Sequence, residues 1–256
     1  MLRKRSAWGF SLPSWPLPFS MTSCACFMGN RVTLGIDNSL DFLNIAVSLE
    51  DKLIEERHIK NARAPSGIIA DEVSHILSSN GHAIDDVGMI AVTLGPGSFT
   101  GIRVALAFCK GVSAAGGIPL IGVPTLDVLA SPFSFMEGYY LCPLIDAKKG
   151  EVFCSLYYVS HGEIERLAGY LAMKPEDVKD IVKTPCIAFG TGVHLCAEDL
   201  SRIDGMTLVN DRFTRISGEA LIREGLRRST RPVEGNIEPI YGRKSEAEIK
   251  FNVTLT

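Results

Sequence analysis

Two aspartates end apolar segments that lead into turns: Asp37 closes Leu34-Gly35-Ile36-Asp37 and Asp146 closes Cys142-Pro143-Leu144-Ile145-Asp146. A carboxylate pair facing across a cleft could hold Mg²⁺ and the phosphates of a nucleotide. A single aspartate at a hairpin is also an ordinary turn cap, bonding its own backbone, and that reading stays open. Phe189-Gly190-Thr191-Gly192 leads from an apolar segment into a helical one, where glycines let a ligand approach N–H groups at the helix start. The run falls short of a G-x-G-x-x-G or a P-loop and equally describes a tight turn. The longest glycine-rich run is Thr93-Leu94-Gly95-Pro96-Gly97-Ser98-Phe99-Thr100-Gly101-Ile102-Arg103-Val104, with Ser98 or Thr100 as natural N-caps, and alone it is an anion site or a turn. No nucleophile set accompanies these runs: there is no G-x-S-x-G elbow and no arguable Ser/His/Asp pattern. The five histidines contain no H-x-x-x-H pair and none is closely followed by a second histidine, so no metal site is expected.

These residues must be positioned by strands and helices. Apolar strands are expected at 32–37, 42–49 and 52–59, a meander with Asn38-Ser39 and Glu50-Asp51 at its turns. Ile68, Ile69, Val73, Ile76 and Leu77 then recur at helical spacing, from Pro65-Ser66 until Asn80-Gly81 ends the pattern. A strand at 89–94, a helix at 100–115, a strand at 119–123 and a helix from 125 follow. The order then begins again: strands at 140–146, 152–159 and 163–168, a helix at 175–182, a strand at 187–189, a helix at 193–202, a strand at 207–209 and a helix at 217–228. Two halves of βββαβα order predict an internal duplication with its boundary near residues 136–139. The duplication would set Asp37 and Asp146 on equivalent strand ends facing one cleft.

The helix after the glycine-rich run carries a second signal. Between Gly101 and Ala115 its only charges are Arg103 and Lys110, so it is apolar almost all round and must be covered on more than one side. Ala107, Gly111 and Ala115 recur every four residues as a smooth strip that another helix could approach, either within this chain or across a subunit interface. Near the C-terminus, Arg212, Arg215, Arg223, Arg227, Arg228 and Arg231 are offset by Asp211, Glu219, Glu224 and Glu234, the pattern of a solvated helix face, with RNA contact as the other reading.

The chain has 256 residues, 46% hydrophobic and 21% charged, which excludes disordered, collagen-like and coiled-coil classes. A net charge of −3 gives no global attraction to nucleic acid or anionic lipid. Seven cysteines without a C-x-x-C pair fit a reduced cytosol, and no run approaches the ~20 apolar residues of a membrane span. Residues 1–30 combine Arg3, Lys4 and Arg5 with aromatics interrupted by Pro13, Pro16 and Pro18, which would break a signal-peptide helix. We read this segment as a disordered tail or an over-extended start, with Met21 and Met28 as internal alternatives.

Five motifs together carry a resemblance. Gly95-Pro96-Gly97-Ser98-Phe99-Thr100-Gly101 with Arg103, then Gly122-Val123-Pro124-Thr125-Leu126, Ile145-Asp146-Ala147-Lys148-Lys149-Gly150-Glu151-Val152-Phe153, Gly190-Thr191-Gly192 and Glu238-Pro239-Ile240-Tyr241-Gly242-Arg243 resemble the bacterial TsaB (YeaZ-type) family. Where many of that family carry a His-Ser-Glu-like triplet, this chain reads Ala64-Pro65-Ser66-Gly67. The resemblance implies an α/β, actin-like ATPase (ribonuclease H-like) fold of two duplicated βββαβα subdomains, at residues 31–136 and 137–245, followed by a tail at 246–256.

It also implies a non-catalytic subunit of the machinery that installs threonylcarbamoyl on adenosine 37 of tRNA. Such a subunit binds and stabilises a catalytic TsaD-type threonylcarbamoyltransferase, is joined by a TsaE-type ATPase, is a homodimer when alone, and meets tRNA through the complex. The implied interface is the helix after the glycine-rich turn: Gly95, Pro96, Gly97, Ser98, Phe99, Thr100, Gly101, Arg103, Ala107, Lys110 and Gly111. Asp37, Asp146, Gly190, Thr191 and Gly192 would form a degenerate nucleotide cleft, with no tightly bound cofactor, weak ATP or ADP at the cleft or the partner interface, and no turnover by the chain alone. The competing expectation is an independent actin-fold ATPase or phosphotransferase in which the two aspartates bind Mg²⁺-ATP.

Overall fold

A computed structural model describes residues 32–60, 66–209, 215–230 and 237–242. The tails, Ala64-Pro65, Arg212 and Arg231 lie outside the described residues. Strands β1 (Val32–Asp37), β2 (Phe42–Leu49) and β3 (Lys52–Lys60) form the expected antiparallel meander, and β4 (Val87–Thr93) and β5 (Leu120–Val123) extend it in parallel, giving the order β3-β2-β1-β4-β5. Helix α1 (Ser66–Ser79) precedes β4, α2 (Phe99–Gly116) joins β4 to β5, and α3 (Thr125–Ala130) follows β5. Every residue of β1 and β4 is buried, because helices cover both faces of this sheet. Alternation assigns the sides: Ile90 and Val92 pack with Ile69, Ile76, Ala105 and Leu106 of α1 and α2, whereas Met89 and Ala91 face the opposite layer.

The second sheet repeats the order. It contains β6 (Tyr140–Lys148), β7 (Glu151–Cys154), β10 (Leu171–Met173), β11 (Cys186–Phe189) and β12 (Met206–Val209) as β10-β7-β6-β11-β12, strand for strand the first sheet, with α4 (Val193–Leu200) between β11 and β12. The hairpin of β8 (Tyr157–Ser160) and β9 (Glu163–Arg166) is an addition to this plan. Three expectations change accordingly. The single strand at 152–159 is β7 and β8, both paired to β6 in unchanged register, with Leu144 opposite Cys154 and Leu141 opposite Tyr157. The two-residue gap lies across from Cys142-Pro143, where proline has no N–H to give the ladder. The third strand of the repeat is β10, not residues 163–168, and the helix expected at 175–182 is a short 3₁₀ turn, Pro175–Asp180, that buries only Val178.

The largest difference concerns the last helix, α5 (Gly218–Ser229), expected within the second half. It packs on β1, β2, β4 and β5 of the first sheet, while α3 of the first half lies against β6 of the second. Each half lends its final helix to the other, and one core runs through both: Leu126 and Leu129 of α3, Ala220 and Leu221 of α5, Met89, Ala91, Leu141, Tyr157 and Phe189.

Helix α5 can lie this close because small residues meet there. A Cβ on Gly225 would sit 2.7 Å from Ala91 Cβ, whereas one on Gly111 in α2 meets nothing within 4 Å. Opposite outcomes follow for the same exchange. Gly111→Ala is expected to gain about 0.5–1 kcal/mol from helix propensity. Gly225→Ala is expected to lose about 1 kcal/mol, since overpacking outweighs the same propensity gain. Urea denaturation of the two variants measures both signs.

Candidate functional site

The glycine-rich run wraps from β4 into α2 between two other pieces of the chain. On one side lies the β1–β2 turn: Ser98 N donates to Ser39 O at 2.7 Å and Asn38 Nδ2 to Gly101 O at 3.2 Å. A Cβ on Gly101 would stand 2.0 Å from Asn38 O, so only glycine permits this approach. On the other side runs the segment 237–242, whose Ile240 N donates to Leu94 O at 2.7 Å. Gly95, at φ 101°, leaves room for Ile240 O, which would be 2.3 Å from an added Cβ. Of the two expected caps it is Ser98 that accepts from Gly101 N, at 3.3 Å, while Thr100 lies inside the helix. The glycines therefore serve close approach of the chain's own backbone.

Helix α2 is covered on one side only. Gly101, Ile102, Ala105, Leu106 and Cys109 are buried against the sheet and α1, whereas Thr100, Arg103, Ala107, Lys110, Gly111 and Ala115 are exposed, and Phe99 is 37% exposed. Among the described residues nothing covers the strip Ala107-Gly111-Ala115. At the first turn of the face, Arg103 lies with its guanidinium carbon 3.9 Å from the Phe99 ring centre, and its Nε donates to Tyr241 Oη at 2.8 Å. The rings of Phe99 and Tyr241 are 4.7 Å apart. Sequence reasoning assigned no role to Tyr241 beyond its motif, because nothing local links it to Arg103, 138 residues away.

The candidate cleft residues are placed in two different environments. Asp37 is 0% exposed, and its Oδ1 accepts from Ser39 N at 3.0 Å, Ser39 Oγ and Thr93 Oγ1 at 2.7 Å, while Oδ2 accepts from Asn44 Nδ2 at 2.7 Å. Burial pushes its carboxyl above the ordinary carboxylate range, against the pull of these four donors. Asp146 caps the β6–β7 turn, accepting from Lys148 N at 2.7 Å and Lys148 Nζ at 2.8 Å. Its partial burial raises the carboxyl, but the bonds from Lys148, with the charges of Lys148 and His194, outweigh that and hold it low. Both aspartates have the turn-cap geometry.

Gly190, Thr191 and Gly192 press on the backbone of β6. Gly192 N donates to Leu144 O at 2.9 Å, Thr191 Oγ1 accepts from Asp146 N at 3.0 Å, and a Cβ on Gly190 would lie 2.4 Å from Leu144 O. This strand-to-helix turn is therefore tight for a structural reason. Among the described residues no group of three or more His, Cys, Asp or Glu is arranged to hold a metal ion.

The described members of the arginine run divide between solvent and partners within the chain. Arg227 pairs with Glu224 at 2.8 Å, Arg228 bonds Asp127 of α3, and Arg215 lies 4.3 Å over the ring of Phe42, while Arg223 is exposed. Asp127 also accepts from Tyr157 Oη at 2.7 Å and Tyr170 Oη at 2.9 Å, which ties α3, α5 and the second half together. Cys109, Cys142, Cys154, Cys186 and Cys196 are free and buried, and burial pushes the Cys154 and Cys186 thiols up to about 12. Among the described residues no helix is long and apolar enough to cross a membrane.

Two copies of one five-stranded topology, joined by exchanged helices over a shared core, define an actin-like, ribonuclease H-like protein. A family model described as TsaD, tRNA N6-adenosine threonylcarbamoyltransferase, matches residues 44–189. The chain belongs to this family, as one of its TsaB (YeaZ-type) members. It is 28% identical over 228 residues to the tRNA threonylcarbamoyladenosine biosynthesis protein TsaB of Bacillus subtilis (strain 168), covering 85% of this chain and 96% of that protein. The protein of the same name from Escherichia coli (strain K12) is 28% identical, covering 68% of this chain and 77% of its own length. The solved structure of YeaZ from Pseudomonas aeruginosa superposes with a TM-score of 0.68 at 24% identity, covering 82% of this chain and 99% of that one.

Proposed function

We propose that this chain is a non-catalytic subunit required for tRNA threonylcarbamoyladenosine biosynthesis at position 37, and that it binds and stabilises a TsaD-type threonylcarbamoyltransferase. The observation that carries this reading is the outer face of α2: Ala107, Lys110, Gly111 and Ala115 stand exposed on a helix whose other face is core. Such a face is suited to another helix at close range. The names of the Bacillus and Escherichia relatives support the pathway, and the match of this chain to the threonylcarbamoyltransferase family model supports a partner of that chemistry. The enclosure of Asp37 by four donors supports a subunit without turnover of its own, with ATP or ADP bound weakly at the cleft or the partner interface. A TsaE-type ATPase joins the assembly, tRNA is met through it, and in the absence of the partner the chain pairs with itself.

Size-exclusion chromatography with light scattering, on the full chain alone and mixed with the TsaD-type protein of the same organism, tests this. A dimer that converts to a one-to-one heterodimer is the expected result. Failure to form any complex, with or without ATP, overturns the reading.

A further inference from the structure

Arg103 is held in place by rings rather than by an acid. Arg57, Arg202, Arg227 and Arg228 each pair with a carboxylate, whereas among the described residues none pairs with Arg103, although it is exposed and held in place. Its guanidinium carbon lies 3.9 Å over the Phe99 ring, and among the described residues only its Nε is hydrogen-bonded, to Tyr241 Oη. The two terminal nitrogens of a guanidinium so held form a fork suited to one planar, doubly accepting anion. Tyr241 is itself fixed, since its neighbour Ile240 is bonded to Leu94 at the root of the glycine-rich turn. The rotamer freedom that an arginine normally gives up on binding has therefore been surrendered in advance.

We propose that Arg103 is the charge-selective anchor of the α2 face, that it takes a carboxylate from a helix of a different chain, and that Tyr241 is its positioning residue. This rests on the docking reading above and adds the chemistry of the partner. A second copy of this chain docking through the same face about a two-fold axis would bring α2 against α2. Between Phe99 and Gly116 there is no Asp or Glu, so that arrangement opposes Arg103 and Lys110 of one copy to the same cations of the other. A phosphate would satisfy the same fork. Lys110 is the only other cation among the exposed residues of this helix, its neighbours Phe99, Ala107 and Gly111 are apolar, and the net charge of −3 opposes a polyanion, so the fit is to an acidic residue on an otherwise small-residue helix.

The test uses the full-length chain and the TsaD-type protein, with affinity measured by calorimetry and the homodimer constant by sedimentation. Arg103→Met is expected to weaken the heterodimer about tenfold or more while the homodimer is unchanged or tighter. Tyr241→Phe, which keeps the ring and loses the hydroxyl, is expected to weaken the heterodimer about threefold or more at an unchanged melting temperature. Arg103→Glu is expected to be rescued by exchanging one acidic residue on the partner's docking helix for arginine. Wild-type affinity of Arg103→Met for the partner, or equal weakening of both dimers, overturns the proposal. So does a loss of tRNA binding with an intact heterodimer, which would assign the fork to phosphate. If the wild-type chain itself does not bind the partner, the docking reading has failed, a result distinct from any of these.

Discussion

Gly111→Glu is expected to abolish association with the TsaD-type partner, lowering affinity at least about a hundredfold, close to 3 kcal/mol, while the chain folds as before. The new carboxylate would enter open space on the exposed face of α2, where a Cβ has no neighbour within 4 Å, so the isolated chain has nothing to lose there. Glutamate is also a better helix former than glycine, and the melting temperature is expected to hold or rise. In the complex the same group must be desolvated between two helices. Calorimetric titration and a thermal melt on one preparation separate the two effects. A mutant that binds with wild-type affinity would move the interface to another surface.

Asp37→Ala is expected to have the largest effect on folding, a loss of about 4 kcal/mol, or about 10 °C in melting temperature for a domain of this size. Removing the carboxylate strands four donors, Ser39 N, Ser39 Oγ, Thr93 Oγ1 and Asn44 Nδ2, around a site with 0% exposure. Any ATP hydrolysis by the pure chain is expected to be negligible and no different in the folded fraction of the mutant. Substantial hydrolysis that disappears with Asp37 would instead support an independent ATPase. The pH dependence has a definite sign. The folded-state carboxyl is raised by burial, so the folded chain holds its proton longer than the unfolded chain does. Stability contributed by this group therefore falls as pH rises from the ordinary value near 4 through the raised one. Asp37→Asn, unable to ionise, is expected to lose that slope in urea titrations across the window.

Strands β1 and β2 were legible because each is an apolar run closed by a polar turn pair, and they begin and end where the pattern predicts. Helix α2 and its small-residue strip were legible too, since the spacing of Ala107, Gly111 and Ala115 reports one face of a helix directly, but whether that strip packs within the chain was not. The second half was less so. Pro143 interrupts the β7–β8 partner of β6 without any signal in residues 152–159 themselves, and β10 is only three residues long. Asp37 read equally as a ligand or a cap. One donor, Ser39, is two residues away, another, Asn44, comes from the paired strand, and the third, Thr93, is 56 residues distant.

From the sequence by itself came the duplicated strand-and-helix order, the glycine-rich turn and the apolar helix behind it, because periodicity and turn chemistry act over a few neighbouring residues. Only the tertiary structure decided which sheet each helix covers, that α3 and α5 are exchanged between the halves, and that Tyr241 comes to lie over Arg103. Those outcomes depend on complementary small surfaces such as Gly225 against Ala91, and on bonds between residues far apart in the chain. An apolar stripe specifies that a face must be covered, but its partner is selected by shape and by the donors left unpaired when the chain closes on itself.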